Sequence, residues 1–230
     1  MKFLLIVFCA LSFGACASHS TVSSETHATS ESGATERLGT FTFHLDGPPK
    51  LGSPEDENDY QTLSRLQLSR KDEDCARART EVRMSLGTFY GKPYGPLTEV
   101  EVAELTHLFE ILSKEAWPLI NHEKKAFQRP RPYVTHDDLS PCVKTEPTSS
   151  YPSAHAAVSR FYMNILMNLF PDRKDALEKR AEQIAFDRNL VGVHYPTDVR
   201  DGKRLGEEIY QYLAKDNQFK KLIATQALHL

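Results

Sequence analysis

The sequence predicts an all-α protein, a single compact multi-helix domain over residues 40–230. Three observations carry that reading. Apolar residues recur at helical spacing through most of the chain after Ser53. Strand-like alternation is confined to Leu38–Pro54, LGTFTFHLDGPPKLGSP, where proline and glycine soon break it. With 230 residues, 40% of them hydrophobic, and no internal repeat, the chain can build one sizeable core or at most two small ones.

The chain opens on MKFLLIVFCALSFGACASHS, with Lys2 ahead of an apolar run from Phe3 to about Gly14 and small residues after it. This is the pattern of a secretory signal peptide, residues 1–17, and its apolar run is too short to span a bilayer comfortably. Two processing routes are open. Cleavage near Ala17 frees a soluble chain. Alternatively, Phe13-Gly14-Ala15-Cys16 acts as a lipoprotein signal and Cys16 carries a lipid anchor. Residues 18–39, rich in Ser, Thr and Glu, have too little apolar area to fold and read as a flexible linker. The expectation is an exported protein of the periplasm, soluble or anchored to the outer membrane.

The first helix should start at Ser53-Pro54-Glu55-Asp56 and run through DYQTLSRLQLSR. Further helices are expected at about 72–86, 98–118, 121–128, 153–169, 172–190 and 197–214. A residue before proline is pushed to extended geometry, so the helix bearing Lys124 should end near Gln128, ahead of Arg129-Pro130-Arg131-Pro132. Pro152 is expected in the first turn of its helix, which would leave the N–H groups of Ser153, Ala154 and His155 without intrahelical partners. Gly192 suits a helix end and Pro196 the next helix start. The loop RPRPYVTHDDLSPCVKTEPTSSYP is long for a compact domain, and such loops are often functional.

A formal net charge of −3 makes no electrostatic case for a nucleic-acid partner. Beyond the signal only Cys75 and Cys142 remain, and in an exported chain two cysteines read naturally as one disulfide. Two unrelated buried thiols are the alternative. Neither cysteine has a second cysteine or a histidine at ligand spacing, so no metal site is expected.

Three groups in the second half carry chemistry. KKAFQRPRP brings Lys124, Lys125, Arg129 and Arg131 to a helix end and a stiff extended segment. SSYPSAHAA sets Ser153, Ala154 and His155 at a helix start. DRNLVGVHYPTDV places His194 just before a helix and Asp198 four residues later, where a carboxylate can hold one imidazole nitrogen and leave the other free. Each alone reads as a solvated end, a local hydrogen bond or a cap. Together, cations, a helix N-terminus and two histidines make a coherent phosphate site, needing no cofactor.

With those motifs in view, the chain resembles the class A bacterial non-specific acid phosphatases, within the type-2 phosphatidic acid phosphatase and vanadium haloperoxidase superfamily. Lys124 and Arg131-Pro132, then Pro152-Ser153-Ala154-His155, then Arg188, His194 and Asp198 fall in the family's order and spacing. Ala154 stands where the family has glycine, and Asp187 where it has serine. The resemblance implies that His194 is the nucleophile, Asp198 its orienting carboxylate and His155 the acid for the leaving group. It implies that Lys124, Arg131, Ser153, Ala154 and Arg188 bind phosphate. The implied function is an exported, metal-independent phosphatase of broad specificity acting on small phosphorylated substrates through a phosphohistidine. The other readings are a lipid phosphate or pyrophosphate phosphatase at a membrane surface, a vanadate-dependent haloperoxidase, and a catalytically weakened phosphate-binding lipoprotein. Assembly into a homo-oligomer is left open.

Overall fold

The computed structural model describes residues 43, 45–228 and 230. The signal peptide, Cys16 and the linker through residue 39 lie outside them. Helices account for most of the described chain: α1 Pro54–Ser69, α2 Asp72–Thr80, α3 Leu86–Tyr90, α4 Glu99–Phe127, α5 Pro132–Thr135, α6 Ala154–Leu169, α7 Lys174–Leu190, α8 Pro196–Leu213 and α9 Asn217–Ala227. No strand forms among the described residues; one isolated bridge joins Gly91 and Leu97.

Local chemistry explains most boundaries. Ser53 caps α1 by accepting from the Asp56 N–H, and Thr98 caps α4 with Glu101 completing a capping box. Two expectations needed correcting here. The segments 98–118 and 121–128 are one helix that runs through Pro118, because Leu112, Ala116, Leu119 and Ile120 bury its face on both sides of the proline. Burial of those side chains outweighs the roughly 3 kcal/mol that an interior proline costs. The expected helix 72–86 ends at Thr80 instead, and a separate short helix begins after Ser85, whose side chain caps it. The sequence reading also missed α9, capped by Asp216 and seated through Phe219 against Tyr210.

Helix α6 is the axis of the domain. Twelve of its residues are buried, and α7 and α8 pack along it. The approach of α8 is close because Gly202 and Gly206 carry no side chain there. A Cβ on Gly202 would lie 2.4 Å from the Ser153 carbonyl oxygen, and one on Gly206 2.2 Å from that of Ala157. The glycines therefore hold the start of α8 against the start of α6, which sets Asp198 beside Ser153.

Candidate active site

Two arginines and two histidines from separate elements converge on one cavity: Arg131 after α4, His155 at the start of α6, Arg188 at the end of α7 and His194 before α8. Val82, Val143, Lys144, Glu146 and Val193 complete its walls. Its volume of about 20 Å³ is room for a single water. The turn that presents His194 follows from Gly192, whose φ of 78° is the left-handed conformation a side chain would resist. Pro196 and an N–H bond from Tyr195 to Asp198 Oδ2 (2.9 Å) then start α8.

His194 is 2% exposed. Its Nε2 lies 2.9 Å from Arg131 Nη1. A guanidinium only donates, so Nε2 accepts and the ring proton sits on Nδ1. Nδ1 is 3.6 Å from Asp198 Oδ2, beyond hydrogen-bond range. Burial lowers the His194 pKa well below the ordinary value, with Arg131, Lys124 and Arg188 pushing the same way. His155 Nε2 donates to the Val82 carbonyl (3.3 Å), and burial, then Arg188 and His194, lower its pKa as well.

Arg131 also donates from Nη1 to Val193 O (2.8 Å) and from Nε to Thr148 O (2.9 Å), and Glu146 Oε2 stands 3.5 Å from its Nη2. Lys124 does not line the cavity. Its Nζ donates to Ser149 O at 2.7 Å, and burial, helped by Arg131, lowers its pKa to about 8.

The expectation for the start of α6 needs correction. Pro152 lies outside the helix, joined to Tyr151 by a cis bond, and Ser153 is the cap, its Oγ accepting from the Ala156 N–H. Ser153 N–H is not free; it donates to Asp198 O at 2.9 Å. A serine hydroxyl satisfies an orphan helix donor, as proline cannot, and that decides which residue takes the cap. Ala154 is the first helical residue and does not have a positive φ, so its methyl meets no backbone strain.

Glu81, Asp56, Asp59, Ser150 and Arg77, which hold the site residues in place, could not be singled out from sequence. Arg188 is held by Glu81 Oε2 at 2.7 Å; Glu81 is wholly buried and its other oxygen is 2.9 Å from Arg180. Burial pushes the Glu81 carboxyl up, against the pull of Arg188 and Arg180. Arg129 has its guanidinium 3.7 Å from the Tyr195 ring centroid and donates to Asp198 Oδ1 (2.8 Å), Asp56 Oδ1 (2.9 Å) and Asp59 Oδ2 (3.0 Å). Ser150 Oγ donates to Asp198 Oδ2 at 2.5 Å. Asp198 is thus fixed from three sides. Asp187 turns away from Arg188 and takes a two-pronged bond from Arg77, both contacts 2.8 Å. Cys75 and Cys142 form a disulfide, Cα atoms 5.9 Å apart, tying α2 to the loop that walls the cavity.

The PAP2 superfamily model matches residues 106–206. A non-specific acid phosphatase of Providencia stuartii is 24% identical over 236 residues, covering 96% of this chain and 94% of the relative. An acid phosphatase of Zymomonas mobilis is 25% identical over 202 residues, covering 81% of this chain and 76% of the relative. Among solved structures, a bacterial vanadium-dependent iodoperoxidase shares the fold, with a TM-score of 0.53 at 16% identity over 74% of this chain and 53% of its own. The segment similar to the PAP2 superfamily contains every residue from Lys124 to Asp198, and over nearly its whole length the chain is similar to bacterial acid phosphatases.

Proposed function

We propose that the protein is an exported phosphatase that hydrolyses phosphate monoesters of small molecules through a phosphohistidine, without a metal. The observation that carries this is the convergence of two buried histidines and two arginines on one small cavity, with Lys124 just behind. His194 has the tautomer a nucleophile needs: a lone pair on Nε2 and a proton on Nδ1 facing Asp198. For attack, Arg131 must release Nε2 and take up a phosphoryl oxygen, which a guanidinium matches well. The Nε2–P bond forms as the P–O bond to the leaving group breaks, and His155 gives that oxygen a proton. Water then attacks phosphorus, His155 takes its proton, and inorganic phosphate leaves as the P–N bond breaks. Both histidines are neutral in the free site, so His155 must gain its proton as the anionic substrate enters and offsets the surrounding arginines. The disulfide supports export, since such bonds persist in oxidising compartments.

Rapid-quench trapping with ³²P-labelled substrate tests the two roles. His194→Ala should abolish acid-labile label. His155→Ala should still trap it from p-nitrophenyl phosphate, yet lose about 10²–10⁴-fold in rate on an alkyl phosphate, whose leaving group needs the proton. Label trapped by His194→Ala but not by His155→Ala would reverse the assignment. Excess EDTA should leave turnover intact, and orthovanadate should inhibit it.

A further inference from the structure

An apolar cavity of about 260 Å³, walled by Met84, Ala116, Trp117, Val158, Phe161 and Tyr162, lies outside the machinery described so far. It stands on the same helix faces as the charged site. On α6, His155, Val158 and Tyr162 are spaced i, i+3, i+7, one continuous stripe, with Val158 about 4.5 Å along the axis from His155. On α4, Trp117 precedes Lys124 by seven residues, again on one face. The segment after α2 walls both chambers: Val82 lines the charged cavity and accepts from His155, while Met84 lines the apolar one. The buried Phe89 ring packs near one wall residue of each, 5.9 Å from the ring of His155 and 6.3 Å from that of Tyr162. Trp117 is 39% exposed, so the rim reaches solvent.

We propose that this cavity receives the organic group of the substrate, and that the preferred substrates are phosphate monoesters of apolar alcohols, alkyl or aryl, rather than of sugars or nucleosides. The inference rests on the phosphatase reading above. With His194 attacking and His155 protonating the ester oxygen, the departing group lies on His155's side, and the stripe beyond His155 leads into the cavity. No charged side chain lines it. The hydroxyls of Ser113 and Tyr162 already bond each other at 2.5 Å, which leaves the indole N–H of Trp117, at the rim, as the other polar side-chain group in its lining. A polyol placed there would lose most of its water for at most one side-chain donor, while an alkyl chain or ring gains by burial. A cavity of about 150 Å³ accepts benzene, so this one has room for a substituted ring or several methylenes.

The test uses the mature protein and two parallel series: alkyl phosphates from methyl to octyl for turnover, and the non-hydrolysable alkylphosphonates of the same lengths for affinity by calorimetry. Both kcat/KM and phosphonate affinity should be flat for the shortest chains, rise about fourfold per methylene once the chain reaches Val158, and then level off. Val158→Phe fills the cavity and Trp117→Ala opens its rim; each should remove most of the gain for octyl relative to methyl. Trp117 is partly exposed, so that variant keeps the test intact if Val158→Phe fails to fold. Chain-length independence in both series, or an undiminished gain in Trp117→Ala, overturns the assignment. Length-dependent phosphonate binding without any hydrolysis would leave the subsite standing and reject the phosphatase reading. Hydrolysis without length dependence does the reverse. Self-association in sedimentation that octylphosphonate does not compete away would give the cavity to a second copy, and likewise overturns the proposal.

Discussion

Lys124 shows what burial does to a single cation. Its ammonium is desolvated and repelled by Arg131, and its pKa drops to about 8. Below pH 8 it is charged, and on the proposed mechanism it then attracts a phosphoryl dianion; above pH 8 it is neutral and that attraction is lost. The kcat/KM profile reports the free enzyme, so it should fall on the alkaline side with a midpoint near 8. Lys124→Arg stays charged through that range and should abolish the limb; a limb unmoved in that variant would assign it elsewhere. Glu146 poses the opposite case. Its carboxylate stands 3.5 Å from Arg131 and competes with an incoming anion for the same guanidinium. Glu146→Gln should lower KM for a dianionic substrate severalfold while changing kcat little, measurable in one steady-state comparison. A raised KM would mean that Glu146 helps to place Arg131.

Between elements, charge pairing does what apolar packing cannot. Helix α2 is short and strongly charged, and it is fastened to α7 through Arg77 and the wholly buried Asp187. The two partners are not equivalent. Arg77→Ala leaves a wholly buried carboxylate without its ion partner, held by Gln183 Nε2 alone, and should cost about 3–5 kcal/mol. Asp187→Ser leaves an arginine that is 18% exposed and still paired with Asp74 at 3.0 Å, so it should cost less than half as much. Urea denaturation of the two variants distinguishes them, and equal losses would show that the pair is not buried in solution. With Asp187 taken up by Arg77, the ion partner of Arg188 is Glu81.

At the scale of the whole molecule, the Cys75–Cys142 bond closes a segment with a sequence separation of 67. On chain-entropy grounds it contributes about 4 kcal/mol. Reduction should lower the unfolding free energy by up to that amount. It should also raise KM, because Cys142 directly precedes Val143 and Lys144 in the cavity wall. Full retention of both properties in reductant would show the bond to be dispensable. Stability should also fall with acid. His155 and His194 titrate well below their unfolded value in the fold, so their contribution is complete above about pH 6.5 and is lost as pH falls towards their folded pKa values.

The sequence by itself singled out four of the residues that line the charged cavity, Arg131, His155, Arg188 and His194, with Lys124 behind them. Lys124, Arg131, His155, Arg188 and His194 stand at spacings that a helix end, a helix start and a glycine turn convert directly into position, and those signals are local. Helical periodicity determined most elements for the same reason. Only the tertiary structure decided how the charges are held. Glu81 on Arg188, Arg77 on Asp187, and Asp56 and Asp59 on the Arg129 that grips Asp198 join residues 107, 110, 73 and 70 positions apart. In the sequence each looks like a solvated charge on a polar helix face. Their pairing exists because the burial of α6, α7 and α8 brings α1 and α2 against them, and an ion removed from water must then find its partner.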